Sequence, residues 1–196
     1  YLKNNKYDYL KNRITNNYFR KTVNFDNIIF LFELSKYFNL KITKVLKSIN
    51  NFKPLQFRQE IISNTKNYKI INDSKSTSLS STIPFLETNE RTFWILGGLI
   101  KKGDKFNLNK KFYKNITAFI YGRDKIMFSK LLKNKLKINL SENLSDVIKL
   151  ISKKLKNEKK KTTILFSPSA ASFDQFRNFE ERGKRFNILI KKYLLN

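Results

Sequence analysis

The chain has 196 residues, 40% of them hydrophobic and including 18 Phe and 9 Tyr, which suits one full domain or one domain plus part of another. Forty-one Lys and Arg against 15 Asp and Glu leave a net charge of +26, and there is no Cys and no His. Those absences exclude disulfides, thiolate metal sites and histidine chemistry, and with no bilayer-length apolar run and no signal-peptide pattern, no membrane partner is expected.

Residues 1–21 are polar, rich in Asn and Lys, with Lys6-Tyr-Asp-Tyr-Leu10 read as a short strand. The chain opens at Tyr1 without an initiator Met, and it is expected to be a fragment or a processed piece. From Asn24 to Phe38, Ile28, Leu31, Phe32 and Phe38 recur at helical spacing; Ile29 and Leu34 widen the stripe and Ser35 interrupts it. Asn39-Leu40 breaks that helix, and Ile42 to Ile49 predicts a second, with Val45, Leu46 and Ile49 inward. Phe52-Lys-Pro-Leu-Gln56 reads as a linker, because Pro54 cannot continue a helix and disfavours one at the residue before it.

Beyond the linker, strands alternate with helices. Tyr68–Ile71, Phe93–Leu96, Ile116–Tyr121, Leu136–Asn139 and Thr163–Phe166 are predicted strands. Ser80–Leu86 (with Pro84 as a bend), Asp124–Asn134, Leu144–Leu155 and a last segment to Leu195 are predicted helices. This alternation implies an α/β fold with a mostly parallel, Rossmann-like sheet, flanking helices and right-handed crossovers. Ligands of such sheets lie at the C-terminal ends of the strands, where Asp73–Thr77, Gly97–Lys101, Gly122–Asp124 and Ser167–Ser172 fall.

The charge invites a nucleic-acid reading, since clustered Lys releases counterions from a phosphate backbone. Here the basic residues are mostly Lys and are spread along the whole length. The other abundant types are Asn, Ile, Phe and Tyr, which with Lys are the amino acids of A/T-rich codons. Coding bias therefore accounts for the charge, and indiscriminate adhesion to polyanions is expected rather than a specific nucleic-acid partner.

Three loops carry candidate chemistry. Ser167-Pro-Ser-Ala-Ala-Ser-Phe-Asp-Gln-Phe-Arg-Asn-Phe-Glu-Glu-Arg-Gly-Lys-Arg-Phe186 follows a buried strand through a small-residue turn into a helix with Phe176, Phe179 and Phe186 on its apolar face. Ser169 and Ser172 then fall near a helix N-terminus, where free N–H groups favour a carboxylate or phosphate. Ile71-Asn-Asp-Ser-Lys-Ser-Thr77 puts a carboxylate, an ammonium and hydroxyls into one short loop, which suits either helix capping or ligand contact. Leu96-Gly-Gly-Leu-Ile-Lys101 permits close backbone approach, either to a ligand or in a simple tight turn. Gly98–Lys105 begins like a phosphate loop, but Asp104 and Lys105 stand where Lys and Ser/Thr are required, and it is rejected. Glu180-Glu181-Arg182 is read as a solvated or ion-paired helix face.

The Ser167–Phe186 run resembles the signature of the Mur ligase family, and within it of the MurD ligases, which add D-glutamate to UDP-N-acetylmuramoyl-L-alanine in peptidoglycan synthesis. Asn72–Thr77 resembles the Asn-Asp-Ser-Lys-Ala-Thr run of the same enzymes, and Gly122-Arg-Asp124 also matches. Phe52–Glu60 resembles their interdomain linker; Arg58 and Glu60 are kept, while Pro54, Gln56 and Phe57 replace the usual Gly, Pro and His. Asn24 and Asn27 stand where the family has an Asn pair, with Val23 in place of a preceding His.

The resemblance implies that residues 1–53 are the end of an ATP-binding central domain, 54–58 a linker and 59–196 a glutamate-binding C-terminal domain. It implies a D-glutamate site at Lys75, Thr77, Lys101, Ser172, Phe173 and Phe179, with Lys102 an alternative to Lys101. It implies nucleotide contacts at Asn27, Arg58 and Asp73, with ATP and Mg as cofactors and the metal ligands upstream of Tyr1. It further implies a cytoplasmic ligase, a monomer at full length, acting through an acyl phosphate. This piece alone is expected to be inactive. A basic nucleic-acid-binding module and a decayed, non-catalytic remnant stand as alternatives.

Overall fold

The structure, a computed structural model, describes residues 7–16, 18–20 and 22–195. The chain divides into two units, Tyr1–Pro54 and Leu55–Asn196.

The first unit is helical: α1 (Asp8–Arg13), α2 (Thr22–Tyr37) and α3 (Ile42–Asn50). Leu10 and Ile14, one turn apart, are buried with Ile28, Phe32, Val45 and Ile49. That spacing makes Asp8–Arg13 a helix where a strand was expected; Lys6 lies outside the described residues. The buried stripe of α2 runs through Phe25, Ile28, Ile29 and Phe32, with Ser35 also inside, its hydroxyl donating to the Phe32 carbonyl at 2.8 Å. Leu31, Leu34 and Phe38, expected inward, are exposed.

In the second unit the predicted apolar runs form one six-stranded sheet. In chain order the strands are β1 (Glu60–Asn64), β2 (Tyr68–Asn72), β3 (Arg91–Gly97), the short β4 (Leu99–Ile100), β5 (Ile116–Tyr121), β6 (Lys137–Leu140), β7 (Thr162–Phe166) and the short β8 (Ala170–Ala171). The order across the main sheet is β1-β2-β7-β3-β5-β6. Its pairs from β2 to β6 are parallel, and β1 is an antiparallel edge. Neither β1 nor the antiparallel pair β4–β8 was expected.

Successive residues of a strand face opposite sides, so Phe93 and Ile95 enter one core layer and Trp94 and Leu96 the other. The first layer is covered by α6 (Leu144–Leu155) and α7 (Phe179–Leu194), through Val147, Ile148, Ile151, Phe186 and Ile190. The second is covered by α4 (Leu79–Leu86) and α5 (Lys125–Leu132), through Leu79, Leu86, Phe128 and Leu132. A six-residue 3-10 helix, Lys110–Asn115, leads into β5.

Candidate functional site

The loops after β2, β3, β5 and β7 leave the same edge of the sheet because those strands are parallel. β7 lies between β2 and β3, so the Ser167–Ser172 loop emerges beside both the Asp73–Thr77 and the Gly97–Lys101 loops. Backbone bonds tie them: Asp73 N donates to the Phe166 carbonyl at 2.7 Å and Gly97 N to the Pro168 carbonyl at 3.0 Å. Gly97 and Gly98 make the crossing possible. Both have positive φ, +150° and +126°, and a Cβ on them would lie 2.1 Å from the Tyr121 carbonyl oxygen and 2.2 Å from that of Ala171. Only glycine fits where β3 turns against its neighbours and re-emerges as β4 beside β8.

The Asp73 loop is held from beneath. Ser167 Oγ donates to Asp73 Oδ2 at 2.9 Å, and the Gln59 amide donates to Oδ1 at 3.2 Å. A chain of hydroxyls continues inward from Ser167. Thr82 Oγ1 lies 2.7 Å from each of Ser167 Oγ, Ser169 Oγ and Ser76 Oγ, and Ser76 Oγ is in turn 2.7 Å from Ser81 Oγ. Thr82, Ser76, Ser167 and Ser169 are all buried. Ser169, with φ 56°, therefore points into this network from a left-handed turn.

Arg182, expected on a solvated helix face, is fully buried and joins two of the loops. Its Nε donates to Ser74 Oγ at 3.1 Å, one terminal nitrogen to the Ser74 carbonyl at 2.7 Å, and the other to the Ala170 carbonyl at 2.9 Å. Burial pulls its pKa below the ordinary arginine value, with Tyr121 and Asp174 opposing that shift. Ser74 Oγ donates to the Phe179 carbonyl at 2.8 Å, which closes the loop onto the start of α7. The sequence signal for this role was available, since Arg182 and Phe186 are four apart on one helical face.

The expected site residues divide into those the fold gathers and those it does not. Lys75 and Phe179 meet: the ammonium sits 3.9 Å from the ring centroid, a cation–π contact that holds the charge in place. Ser172 is buried at the end of β8, in the loop tied to the Asp73 loop through Arg182, whereas Phe173 beside it is 70% exposed. Thr77, Lys101 and Lys102 are exposed at the mouths of their loops. Asp73 is 6% exposed. Arg58 is exposed between Phe57 and Gln59, both at positive φ. Asn24 is buried, its side chain donating to the Tyr18 carbonyl at 2.8 Å, and Asn27 is exposed; both belong to the first unit.

One further expectation is corrected. Ser169 and Ser172 do not lie at a helix N-terminus, because α7 starts only at Phe179 and Phe176 precedes it. That N-terminus is capped from within: Asn178 Oδ1 accepts from Glu181 N at 2.8 Å, and a Glu181 carboxylate oxygen accepts from Arg177 N at 2.8 Å. Residues 55–58 fall in the second unit, and the Phe57 ring is buried against the bare backbone of Gly183. The Phe57 carbonyl accepts from Lys75 N at 3.1 Å.

Among the described residues no three His, Cys, Asp or Glu side chains gather as metal ligands. No helix of the described residues is long and apolar enough to cross a membrane.

No family model matches the chain. It is 33% identical over 171 residues to the UDP-N-acetylmuramoylalanine–D-glutamate ligase of Wolbachia sp. subsp. Brugia malayi, covering 87% of this chain and 34% of that protein. It is 32% identical over 171 residues to the ligase of the same name from Rickettsia prowazekii, covering 87% of this chain and 38% of that protein. The chain thus spans little more than a third of the curated relatives it matches. Among solved structures, MurF from Acinetobacter baumannii superposes with a TM-score of 0.55 at 13% identity, over 79% of this chain and 35% of that one, a likeness of fold. The resemblance read from the loops therefore holds over most of the chain: it has the Mur ligase fold and is a homologue of part of the MurD ligases.

Proposed function

We propose that this chain is the C-terminal, glutamate-positioning part of an ATP-dependent ligase that adds D-glutamate to UDP-N-acetylmuramoyl-L-alanine in the cytoplasm. The observation that carries the reading is the meeting of Lys75 with Phe179, at the loop edge of a unit homologous to D-glutamate ligases. The ammonium on the ring face and the nearby hydroxyl-bearing loops suit a small dicarboxylate, taken up by charge-assisted hydrogen bonds. Lys75 and Thr77 would take one end of the glutamate, with Lys101 at the mouth of the neighbouring loop. Ser172, the Phe173 backbone and Phe179 would take its side-chain carboxylate.

Asp73, Arg58 and Asn27 would face the nucleotide of a complete enzyme. The Asp73 carboxylate already accepts from Ser167 and Gln59, so its first effect is to hold its loop in place. In the whole enzyme ATP would convert the carboxylate of the muramoyl substrate into an acyl phosphate, which the glutamate amine then attacks. The part of this chain is orientation and electrostatics at the amine donor. The 196 residues alone would not turn over; ATP-, Mg- and glutamate-dependent phosphate release by the isolated chain would defeat that statement.

Thermal unfolding with D- and L-glutamate tests the reading. D-Glutamate is expected to raise the midpoint and L-glutamate to leave it, a stabilisation of about 2.7 kcal/mol at a hundredfold excess over Kd. No response to D-glutamate would favour a folded, non-catalytic remnant.

A further inference from the structure

The opposite edge of the sheet, where the strands begin, carries a second candidate site that the ligase reading does not use. A cavity of about 520 Å³ opens there, lined by Arg91 at the start of β3, Thr117 in β5, Lys137 and Asn139 in β6, and Lys154 and Glu158 in and just after α6. The strands β3 and β5, which run from this edge to the loops, are seven and six residues long, so this cavity lies about 17–20 Å from the loops described above.

Two independent features point to an anion. The first is an unmet hydroxyl: Thr117 is 5% exposed, and its Oγ1 is buried without a hydrogen-bond partner. A buried hydroxyl left in that state costs about 1–3 kcal/mol, and a ligand oxygen would relieve it once the side chain turns toward the cavity. The second is charge. Three cations line the cavity against one carboxylate, and that carboxylate is already engaged by Arg91 Nε at 3.5 Å. An adjoining cavity of about 280 Å³ shares Lys137, adds Lys114 and Lys135, and has no acidic residue in its wall. Lys137 and Lys154 line a concavity whose wall also holds an Asn amide and an arginine fork able to bond oxygens in pairs.

We propose that this cavity binds a small phosphorylated metabolite, its phosphate held by Lys137, Lys154 and Arg91 and by the Thr117 hydroxyl. The volume exceeds what inorganic phosphate fills and falls within the usual range for small-molecule pockets. The site is independent of the glutamate loops and stands whether or not the ligase reading does.

Calorimetric titration of the 196-residue chain with inorganic phosphate and then with pyrophosphate, at constant ionic strength balanced by chloride, tests this. Saturable 1:1 binding is expected, weakened at least tenfold in the Lys137→Ala/Lys154→Ala double variant. Lys44→Ala/Lys47→Ala in the first unit removes the same charge and is expected to bind as the parent does. Thr117→Val is expected to weaken binding about threefold while leaving the unliganded melting midpoint unchanged or higher. Equal loss in both lysine pairs, a linear unsaturable response, or binding of a short RNA with no response to phosphate would each overturn the proposal. A D-glutamate response unchanged in Lys137→Ala/Lys154→Ala separates this outcome from that of the ligase reading.

Discussion

At the loop edge of the sheet, polar groups from distant parts of the chain answer one another: Arg182 with Ser74 and Ala170, Ser167 with Asp73, Thr82 with three serines. At the opposite edge the Thr117 hydroxyl has no partner, and the one glutamate lining the cavities beside several lysines is engaged by Arg91. The first arrangement fixes loop geometry before anything binds, and its cost is met within the fold. The second leaves a polar deficit that a ligand can fill. A site can thus be recognised by what is held rigid around it or by what is left unsatisfied in it, and one sheet shows both.

That contrast can be broken by mutation, most strongly at Arg182. Arg182→Ala removes three hydrogen bonds from a buried cation and leaves two carbonyls unanswered, with an expected loss of about 3–5 kcal/mol. Arg182→Lys should recover only part of it, because an ammonium lacks the planar fork. Urea unfolding reads both, and a loss below about 1 kcal/mol would mean that the loop edge is not held as described. Gly183→Ala comes next. Its Cβ would sit 2.4 Å from Phe57 Cδ1, an overpacking worth about 1–3 kcal/mol. Combining it with Phe57→Ala should recover most of that loss in a double-mutant cycle.

Ser167→Ala is expected to cost about 1–2 kcal/mol, since Asp73 Oδ2 loses its hydroxyl donor in a buried setting. Tyr121→Phe gives the smallest effect and sharpens the comparison from the exceptional side. The Tyr121 hydroxyl, at the loop edge, is buried without a hydrogen-bond partner. Removing it should leave stability at neutral pH unchanged or raise it by up to about 1 kcal/mol, since an unmet buried hydroxyl goes with it. Desolvation raises the Tyr121 pKa above its ordinary value of 10.0. The neutral phenol's contribution is therefore fully present below pH 10 and is lost as pH rises through the folded-state value. Stability measured from pH 9 to 11 should fall less steeply in Tyr121→Phe than in the parent.

The central parallel strands were legible because they hold apolar runs, such as Phe93–Leu96 and Ile164–Phe166, between polar turns. β1 escaped because Glu-Ile-Ile-Ser-Asn is an edge strand whose buried and exposed positions do not alternate cleanly. β4 and β8 escaped because two-residue strands have no period to read. The loop motifs were legible as chemistry, yet the packing that supports them was not. Phe57 looked like part of a linker, and only the bare Gly183 opposite reveals why a ring is buried there. Arg182 was read as surface because charge outweighed its place one turn before Phe186.

The position of β7 has a consequence in time. It is the last strand of the main sheet to be made, yet it sits between β2 and β3 and pairs with both. During synthesis β3, β5 and β6 can assemble as one block and β1 with β2 as another, but the two blocks have no shared ladder until Thr162–Phe166 arrives. The sheet therefore closes late, through contacts distant in sequence, and these slow folding and leave strand edges exposed meanwhile. The lysine-rich stretch just before β7 would keep those waiting edges apart from other chains by simple repulsion.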